Sequence, residues 1–141
     1  MAWRALSLMH RQLIAALGCE LATVGLSYPD YSVLAALAER GDGRARVVEL
    51  GDQLGWEKSR ASHHVSRMHE RGLVNKERCP TDHRGSYVVL TAEGRRAAER
   101  AAPVHARVVR RHFVDLVTPA QLRTVRDVAD VVLARLAAAR G

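Results

Sequence analysis

Polar side chains recur on one side of the segment from residue 58 to residue 68. When this segment is drawn as a helix with Ala61 at the reference angle, Val65 and Met68 fall beside Ala61. The opposite side carries hydroxyl, imidazole and guanidinium groups, on Ser59, Ser62, His63, Ser66 and Arg67. Arginine can donate two hydrogen bonds to a guanine, and serine or histidine can bond base edges or phosphates. The segment therefore predicts a helix that reads the major groove of DNA, and the alternative is an ordinary amphipathic surface helix.

Two cations stand at the start of the same segment. Lys58 and Arg60 lie near its first turn, where a side chain is better placed for phosphates than for bases. Phosphate contacts position a protein on a duplex without specifying its sequence. We expect Lys58 and Arg60 to anchor the helix, and the residues that follow them to read bases.

Seven histidines raise the question of a metal site or an enzyme. His63 and His64 are adjacent and cannot face one metal from a regular helix, and His105 and His112 have no obvious third ligand nearby. The sequence also lacks a phosphate-cradling glycine loop and a nucleophile motif. We expect no enzymatic activity and no cofactor. His64 falls at the margin of the apolar face, which favours a packed, hydrogen-bonded histidine.

The two cysteines, Cys19 and Cys79, are candidates for a redox response. They have no metal-type spacing, and reduced thiols are the default in the cytoplasm. A reactive thiol needs an exposed, electropositive surrounding, which a sequence does not reveal. We therefore favour a structural thiol at Cys19, and a reactive and an inert Cys79 stay equally open. Oxidation of either cysteine is the alternative signal.

The elements around the polar helix have the order of a helix-turn-helix followed by a β-hairpin wing. One helical pattern ends at Gly55, and the next ends at Gly72. Alternating side chains over residues 74–78 and 87–89 flank a polar break at Pro80–Asp82, which is typical of a hairpin with a long tip. The wing adds candidate contacts to DNA, at Lys76, Arg78, Asp82, His83 and Arg84.

Together these motifs resemble the multiple antibiotic resistance regulator (MarR) family of bacterial transcription factors. The resemblance rests on four segments in the order and separation typical of the family, namely Leu54–Gly55, Arg71–Val74, Asp82–Arg84 and Leu90–Gly94. It covers nearly the whole chain, because the family flanks its winged helix with helices that build a dimer. The chain departs from the family pattern at Glu57 and Lys58, where a hydroxyl cap and a basic residue are common, and at His63–His64.

The resemblance implies a homodimeric, sequence-specific regulator of transcription, a repressor that a small aromatic acid or an oxidant releases. It implies that Arg84 enters the minor groove of double-stranded DNA, with Asp82 orienting Arg84 and His83 facing solvent. A two-fold dimer implies an inverted-repeat operator. The alternatives are a metal- or redox-sensing regulator, and a winged helix used only for protein contacts.

Helical patterns on both sides complete a mostly α-helical single domain of 141 residues. We expect a winged-helix lobe over about residues 28–92, and a helical dimerisation region over about residues 1–26 and 93–141. An exposed apolar stripe near the carboxyl end supports the dimer, since a small winged domain has nothing to cover it. Its members are Leu122, Val125, Ala129, Val132 and Leu136.

Local signals predict the ends of several elements. A first helix is expected over about residues 2–24, and Ser27 is expected to cap the next. A short strand at Arg46–Val48 is predicted to pair with the wing. A long helix is predicted from Thr91 to about Leu116, and Thr118–Gln121 has the pattern of a capping box for the last one.

Composition agrees with an anionic partner and a helical core. The formal net charge of +7 favours an anionic partner such as a nucleic acid. Aromatic residues make up only 4% of the chain, so leucine, valine and methionine must fill the core, as in packed helices. No apolar run reaches the roughly 18 residues of a membrane span, and the amino terminus lacks a signal-peptide pattern. We expect a cytoplasmic protein.

Overall fold

The computed structural model describes residues 1–78 and 85–141. Within them the fold is mostly helical with a small sheet, which confirms the predicted winged helix-turn-helix. The helices are α1 (Ala2–Leu21), α2 (Tyr28–Ala38), α3 (Val47–Leu54), α4 (Lys58–Glu70), α5 (Ala92–His112) and α6 (Pro119–Arg140), and the strands are β1 (Arg44–Arg46), β2 (Val74–Arg78) and β3 (Ser86–Leu90). Short 3-10 helices occupy Ala22–Val24 and Val114–Leu116.

The chain divides into two compact units, Met1–His105 and Ala106–Gly141. The first unit contains α1 to α4, the sheet and most of α5, and the second contains the end of α5 and α6. The boundary therefore falls inside a helix. The predicted division into a winged-helix lobe over about residues 28–92 and a helical dimerisation region is a division by function, and it stays a prediction.

The three strands form an antiparallel sheet in the order β1-β3-β2. The strand predicted at Arg46–Val48 is wrong in its position: β1 spans Arg44–Arg46, and Val47 begins α3. β-Branched residues favour strands, but Val47 is buried on the inner face of a helix together with Leu50. The predicted pairing with the wing is confirmed, since Ala45 lies opposite Val88 of β3, the second wing strand.

The inner faces of α2, α3 and α4 supply part of the core of the first unit, beside residues of α1, α5 and the sheet. Leu34, Leu50, Val65 and Met68 are fully buried there. Helices α3 and α4, which form the helix-turn-helix, approach closely. A Cβ added to Gly51 of α3 would lie only 3.4 Å from the side chain of Ala61 on α4. Glycine at this position lets α4 sit against α3 with its polar face outward.

Most helix ends follow the predicted caps. The hydroxyls of Ser27, Thr91 and Thr118 each accept a backbone N–H three residues on, at 3.1, 2.9 and 3.1 Å. Gly55 and Gly72 follow α3 and α4 with φ of 70° and 76°, a conformation that glycine adopts without steric cost. The long helix ends earlier than expected, at His112, and a 3-10 helix continues to Leu116.

Candidate nucleic-acid interface

Helix α4, the predicted base-reading helix (the reader helix), presents the two faces that its sequence predicts. Ala61, Val65 and Met68 are fully buried, which confirms the register inferred from their spacing. Ser59, Ser62, His63 and Arg67 are exposed on the other face, and Ser66 is half-buried. A row of short hydrogen-bonding groups with one guanidinium therefore faces outward from a rigidly packed helix.

The start of α4 departs from the usual cap. Glu57 occupies the N-cap position and its side chain makes no capping hydrogen bond. Lys58 and Arg60 are exposed just after it. The guanidinium of Arg60 lies 4.7 Å from the centroid of the Trp56 ring, within the range of a cation–π contact. Trp56 thus restrains Arg60 at the edge of the reader helix.

Polar contacts link the wing strand β2 to the reader helix, among them a contact of the His69 ring with the Val74 carbonyl at 3.1 Å. The ammonium group of Lys76 donates to the hydroxyl of Ser66 at 3.0 Å, so a predicted wing contact and a predicted helix contact are neighbours. Arg78 is exposed at the end of the same strand. The other predicted wing residues, Asp82, His83 and Arg84, lie outside the described residues, as does Cys79.

A buried carboxylate lies beneath α4 and was not predicted to belong to the site. Asp30 is only 4% exposed, and it completes the capping box of α2 by accepting from the backbone N–H of Ser27 at 2.9 Å. It also accepts from the guanidinium of Arg71 at 2.8 Å and lies 2.9 Å from the imidazole Nε2 of His64. The second guanidinium arm of Arg71 donates to the Gly25 carbonyl at 2.7 Å. Asp30, at the start of α2, therefore links that helix to His64 in the middle of α4 and to Arg71 just after α4.

These contacts shift the ionisation of the pair. Burial opposes the charged form of Asp30, but the hydrogen bonds from Ser27 and Arg71 and the charge of Arg71 outweigh it, so the pKa of Asp30 is lowered. Burial lowers the pKa of His64, and the charges of Arg67 and Arg60 add to that effect against the pull of Asp30. The packed, hydrogen-bonded histidine expected at this position is confirmed.

The sequence carries one signal for this cluster. The capping box of Ser27 and Asp30 is visible as a local pattern, but the burial of Asp30 and its partners on α4 are not. The sequence marks Arg71 only as part of a family motif and as one of several basic residues near the reader. In the structure its guanidinium is engaged by Asp30 and Gly25, which points to a structural role.

The remaining candidate residues lie apart from this face. Cys19 is exposed on α1, so it is not a core thiol, and its oxidation stays a prediction. The ring of His105 stacks on Tyr31 with 4.7 Å between centroids, and burial lowers the pKa of His105. In residues 1–78 and 85–141, no group of three potential ligands could hold a metal ion. No helix in the same ranges is long and apolar enough to cross a membrane.

A cleft of about 530 Å³ opens between α1, α2 and the turn from α3 to α4. Its lining includes the apolar Ile14, the cation Arg60 and the rings of Tyr28 and Trp56, beside the polar His10 and Ser32. The same Arg60 stands at the start of the reader helix. The cleft and the candidate interface therefore share a side chain.

Comparisons with known proteins agree with this geometry. The MarR family model matches residues 24–85, which hold α2, the helix-turn-helix and the strands β1 and β2. The chain is 35% identical to AbsC, a MarR family transcriptional regulator from Streptomyces coelicolor, over 97% of this chain and 93% of AbsC, with a TM-score of 0.90. Sco3205, a MarR family regulator from the same organism solved in complex with DNA, is 33% identical over 94% of this chain and 84% of its own, with a TM-score of 0.88.

The curated relatives give a shorter match. Transcriptional regulator HosA of Escherichia coli O111:H- is 34% identical over 80 residues, which are 56% of this chain and 57% of HosA. The chain thus matches little more than half the length of this relative. From the near-complete match to AbsC, the chain belongs to the MarR family of transcriptional regulators.

Proposed function

We propose that the protein is a sequence-specific DNA-binding repressor that acts as a homodimer. The observation that carries the proposal is the outward face of α4, where Ser59, Ser62, His63 and Arg67 are exposed on a helix whose other face is fully buried. Such a face suits the major groove, and the 33% identical Sco3205 was solved with DNA. In this role the chain works by binding rather than by catalysis, in the cytoplasm.

The proposed interface has contacts of two kinds, to phosphates and to bases. Lys58, Arg60, Lys76 and Arg78 contact phosphates and set the position of the protein, and the exposed face of α4 reads bases. Arg84 of the wing is the proposed contact to the minor groove, with Asp82 orienting Arg84 and His83 facing solvent. A two-fold dimer presents two reader helices to successive major grooves, so the operator is an inverted repeat with half-sites about 10 base pairs apart.

Apolar side chains left uncovered in each unit support the homodimer. On α1, Trp3, Leu6 and Leu8 are at least half exposed, and on α6 the same holds for Val128, Val132 and Leu136. Soluble monomers rarely leave so many large apolar groups in water on consecutive turns of a helix. A second copy of the chain covers them in the proposed dimer.

A small aromatic acid is the proposed signal, and the cleft beside α1 and α2 is its proposed site. Arg60 supplies a partner for a carboxylate, and Tyr28 and Trp56 supply faces for an aromatic ring. A ligand that binds Arg60 competes with phosphate contact by the same side chain, and operator affinity falls. Oxidation of the exposed Cys19 is the alternative signal, and a Cys19→Ser variant that still responds to peroxide would exclude it.

Selection of duplexes from a random pool tests the DNA-binding proposal. Repeated enrichment with the purified protein is expected to yield an inverted repeat. Fluorescence-anisotropy titrations of that duplex should show affinity falling by roughly 10³-fold between about 50 and 200 mM salt, because several phosphate contacts release counterions. Failure to enrich any duplex, or a nearly flat salt dependence of binding to an enriched one, would favour a module for protein contacts.

The same duplex then serves to test the ligand. Salicylate and related benzoic acids, added at up to about millimolar concentration, should weaken operator binding by the wild-type protein. An Arg60→Gln variant keeps the cleft but removes the carboxylate partner, so it should respond much less. If no aromatic acid weakens operator binding by the wild type, the aromatic-acid proposal fails, and oxidation of Cys19 or another kind of signal takes its place.

A further inference from the structure

His64 on the reader helix is held between groups of opposite charge. Its Nε2 lies 2.9 Å from a carboxylate oxygen of Asp30, and its Nδ1 lies 3.2 Å from a guanidinium nitrogen of Arg67. A carboxylate only accepts hydrogen bonds, and a guanidinium only donates them. Both contacts can therefore be hydrogen bonds in one state alone, the neutral imidazole with its proton on Nε2.

The surrounding elements hold the imidazole in place. Asp30 is itself fixed by the backbone of Ser27 and by Arg71, so the acceptor for Nε2–H cannot swing away. The Trp56 ring meets the imidazole edge-on with 5.4 Å between centroids. His64 is 9% exposed. An imidazole restrained by these neighbours offers Arg67 an acceptor in a defined place.

We propose that His64 is a positioning residue for the base-reading Arg67: neutral His64 holds the guanidinium by accepting one of its N–H bonds, and protonation of His64 releases it. The proposal rests on the proposed function, because Arg67 matters in this way only if α4 reads bases. A guanidinium has five N–H donors, so one bond to His64 leaves others directed from the exposed side of α4 towards a base. Specificity for the operator therefore depends on the protonation state of His64.

The charged groups around the ring set the direction of this dependence. Asp30 of α2 favours the imidazolium, but its charge is shared with Arg71. Burial and the cations Arg60 and Arg67 of α4 disfavour the imidazolium more strongly, and the pKa of His64 lies below its ordinary value. Trp56 in the turn before α4 carries no charge. His64 is thus neutral at neutral pH, and Arg67 is released only as the pH falls through the lowered pKa.

The test compares affinity for the enriched operator with affinity for an unrelated duplex at fixed ionic strength. Protonation of a histidine that contacts only phosphates strengthens binding to both duplexes, so the ratio of the two affinities reports on base reading. For the wild type the ratio should fall about tenfold between about pH 8 and the pH at which His64 is protonated, the loss expected for one arginine–base contact. The direct effect of acid on total affinity does not enter the ratio.

Three variants identify the group responsible. His64→Gln keeps a donor for Asp30 and an acceptor for Arg67 but does not titrate, so its ratio should stay high and independent of pH. Arg67→Ala should have a low ratio that is also independent of pH. His69→Gln replaces another histidine of α4, one whose ring contacts the Val74 carbonyl, and should keep the wild-type profile.

The outcomes separate this inference from the proposal on which it rests. If no operator can be enriched, the DNA-binding proposal fails. If an operator is enriched but the wild-type ratio is flat with pH, or Arg67→Ala titrates like the wild type, the role of His64 is overturned. Should His64→Gln not fold, the wild-type and Arg67→Ala profiles still distinguish these outcomes. Nitrogen-15 NMR of the histidine rings adds a direct check, since a proton on Nδ1 of neutral His64 would also refute the proposal.

Discussion

Arg67 lies in the last turns of α4 and Arg71 lies four residues later, just after the helix ends. Their different surroundings give the two arginines different roles. Arg71 donates to the buried Asp30 and to the Gly25 carbonyl, so its guanidinium binds within the protein. Arg67 is exposed and contacts His64 through a single nitrogen. One arginine therefore stabilises the position of the helix, and the other is available to DNA.

The first prediction separates base reading from groove anchoring. Arg67→Ala should cost about 1–3 kcal/mol of binding free energy on the operator and much less on unrelated DNA, because a base contact is lost. Arg84→Ala should weaken binding to the operator and to A/T-rich competitor alike, because the wing responds to groove width and potential. Competition titrations at fixed salt measure both. Equal losses on operator and random DNA for Arg67→Ala would make Arg67 a phosphate anchor and shift base reading to Ser62 and His63.

The second prediction concerns the buried carboxylate. Asp30→Asn keeps the size of the side chain but removes the charge that Arg71 and His64 contact, and it should lower the free energy of unfolding by roughly 2–4 kcal/mol. Because the pKa of Asp30 is lowered in the fold, its charged form contributes stability above its ordinary pKa of 3.8, and that stability is lost as the pH falls through the folded value.

Urea unfolding at a fixed protein concentration measures this loss. Glu93→Gln is the matched control, since it removes the charge of an exposed carboxylate that pairs with Arg96 on the surface of α5. The control should leave the unfolding midpoint unchanged. A midpoint equally unmoved by Asp30→Asn would show that the buried network does not stabilise the fold.

At the scale of elements, the contacts at the junction between the wing and α5 explain why the segment Leu90–Gly94 has a threonine at 91 and a glycine at 94. The Thr91 hydroxyl accepts the N–H of Gly94 at 2.9 Å and lies 2.7 Å from the Gly72 carbonyl, where it can donate. A Cβ on Gly94 would clash with the Leu73 carbonyl, which precedes β2. The start of α5, the end of α4 and the first wing strand therefore meet at a point with no room for a side chain.

The third prediction follows from that close approach. Gly94→Ala should lower the free energy of unfolding by about 1–3 kcal/mol, because backbone must move to admit the methyl group. Gly18→Ala is the control within α1, where an added Cβ meets nothing within 4 Å, and it should raise stability by about 0.5–1 kcal/mol. Thermal unfolding of the two variants measures the contrast. A stability gain for both would mean that the junction yields without strain.

At the scale of the whole molecule, dimerisation is the property that the apolar faces predict. On α6, Val132 is 50% and Leu136 is 53% exposed, although both are large and apolar. Ala134 lies about 200° around the helix from Val132, on the other side. The helix thus offers a pair of sites that lie on opposite faces.

The fourth prediction uses this pair. Val132→Asp should raise the dimer dissociation constant by at least about 100-fold, because it places an unpaired charge in an apolar contact. Ala134→Asp introduces the same charge on the opposite face and should leave the dimer intact. Sedimentation equilibrium distinguishes the two states. Dimers of equal strength in both variants would remove α6 from the interface.

Features set by neighbours along the chain could be predicted from the sequence. The register of α4 follows from Ala61, Val65 and Met68, and the helix ends follow from Ser27, Gly55 and Gly72, because helical spacing and turn conformation act over a few residues. The joint spacing of such local motifs was enough to indicate the winged helix and the family. Where a local preference competed with burial, prediction failed: Val47 has a strand-forming side chain, but the core placed it at the start of α3.

The contacts beneath the reader helix were decided by the tertiary structure alone. Asp30 meets His64 across 34 positions of sequence and Arg71 across 41. The capping box showed why Asp30 follows Ser27, but no periodicity links it to α4, since contacts between elements depend on how helices pack. The sequence by itself therefore determined that α4 has a polar reading face. The fold determined which of its residues are held by a buried carboxylate, because that depends on groups brought together only when α2 and α4 pack.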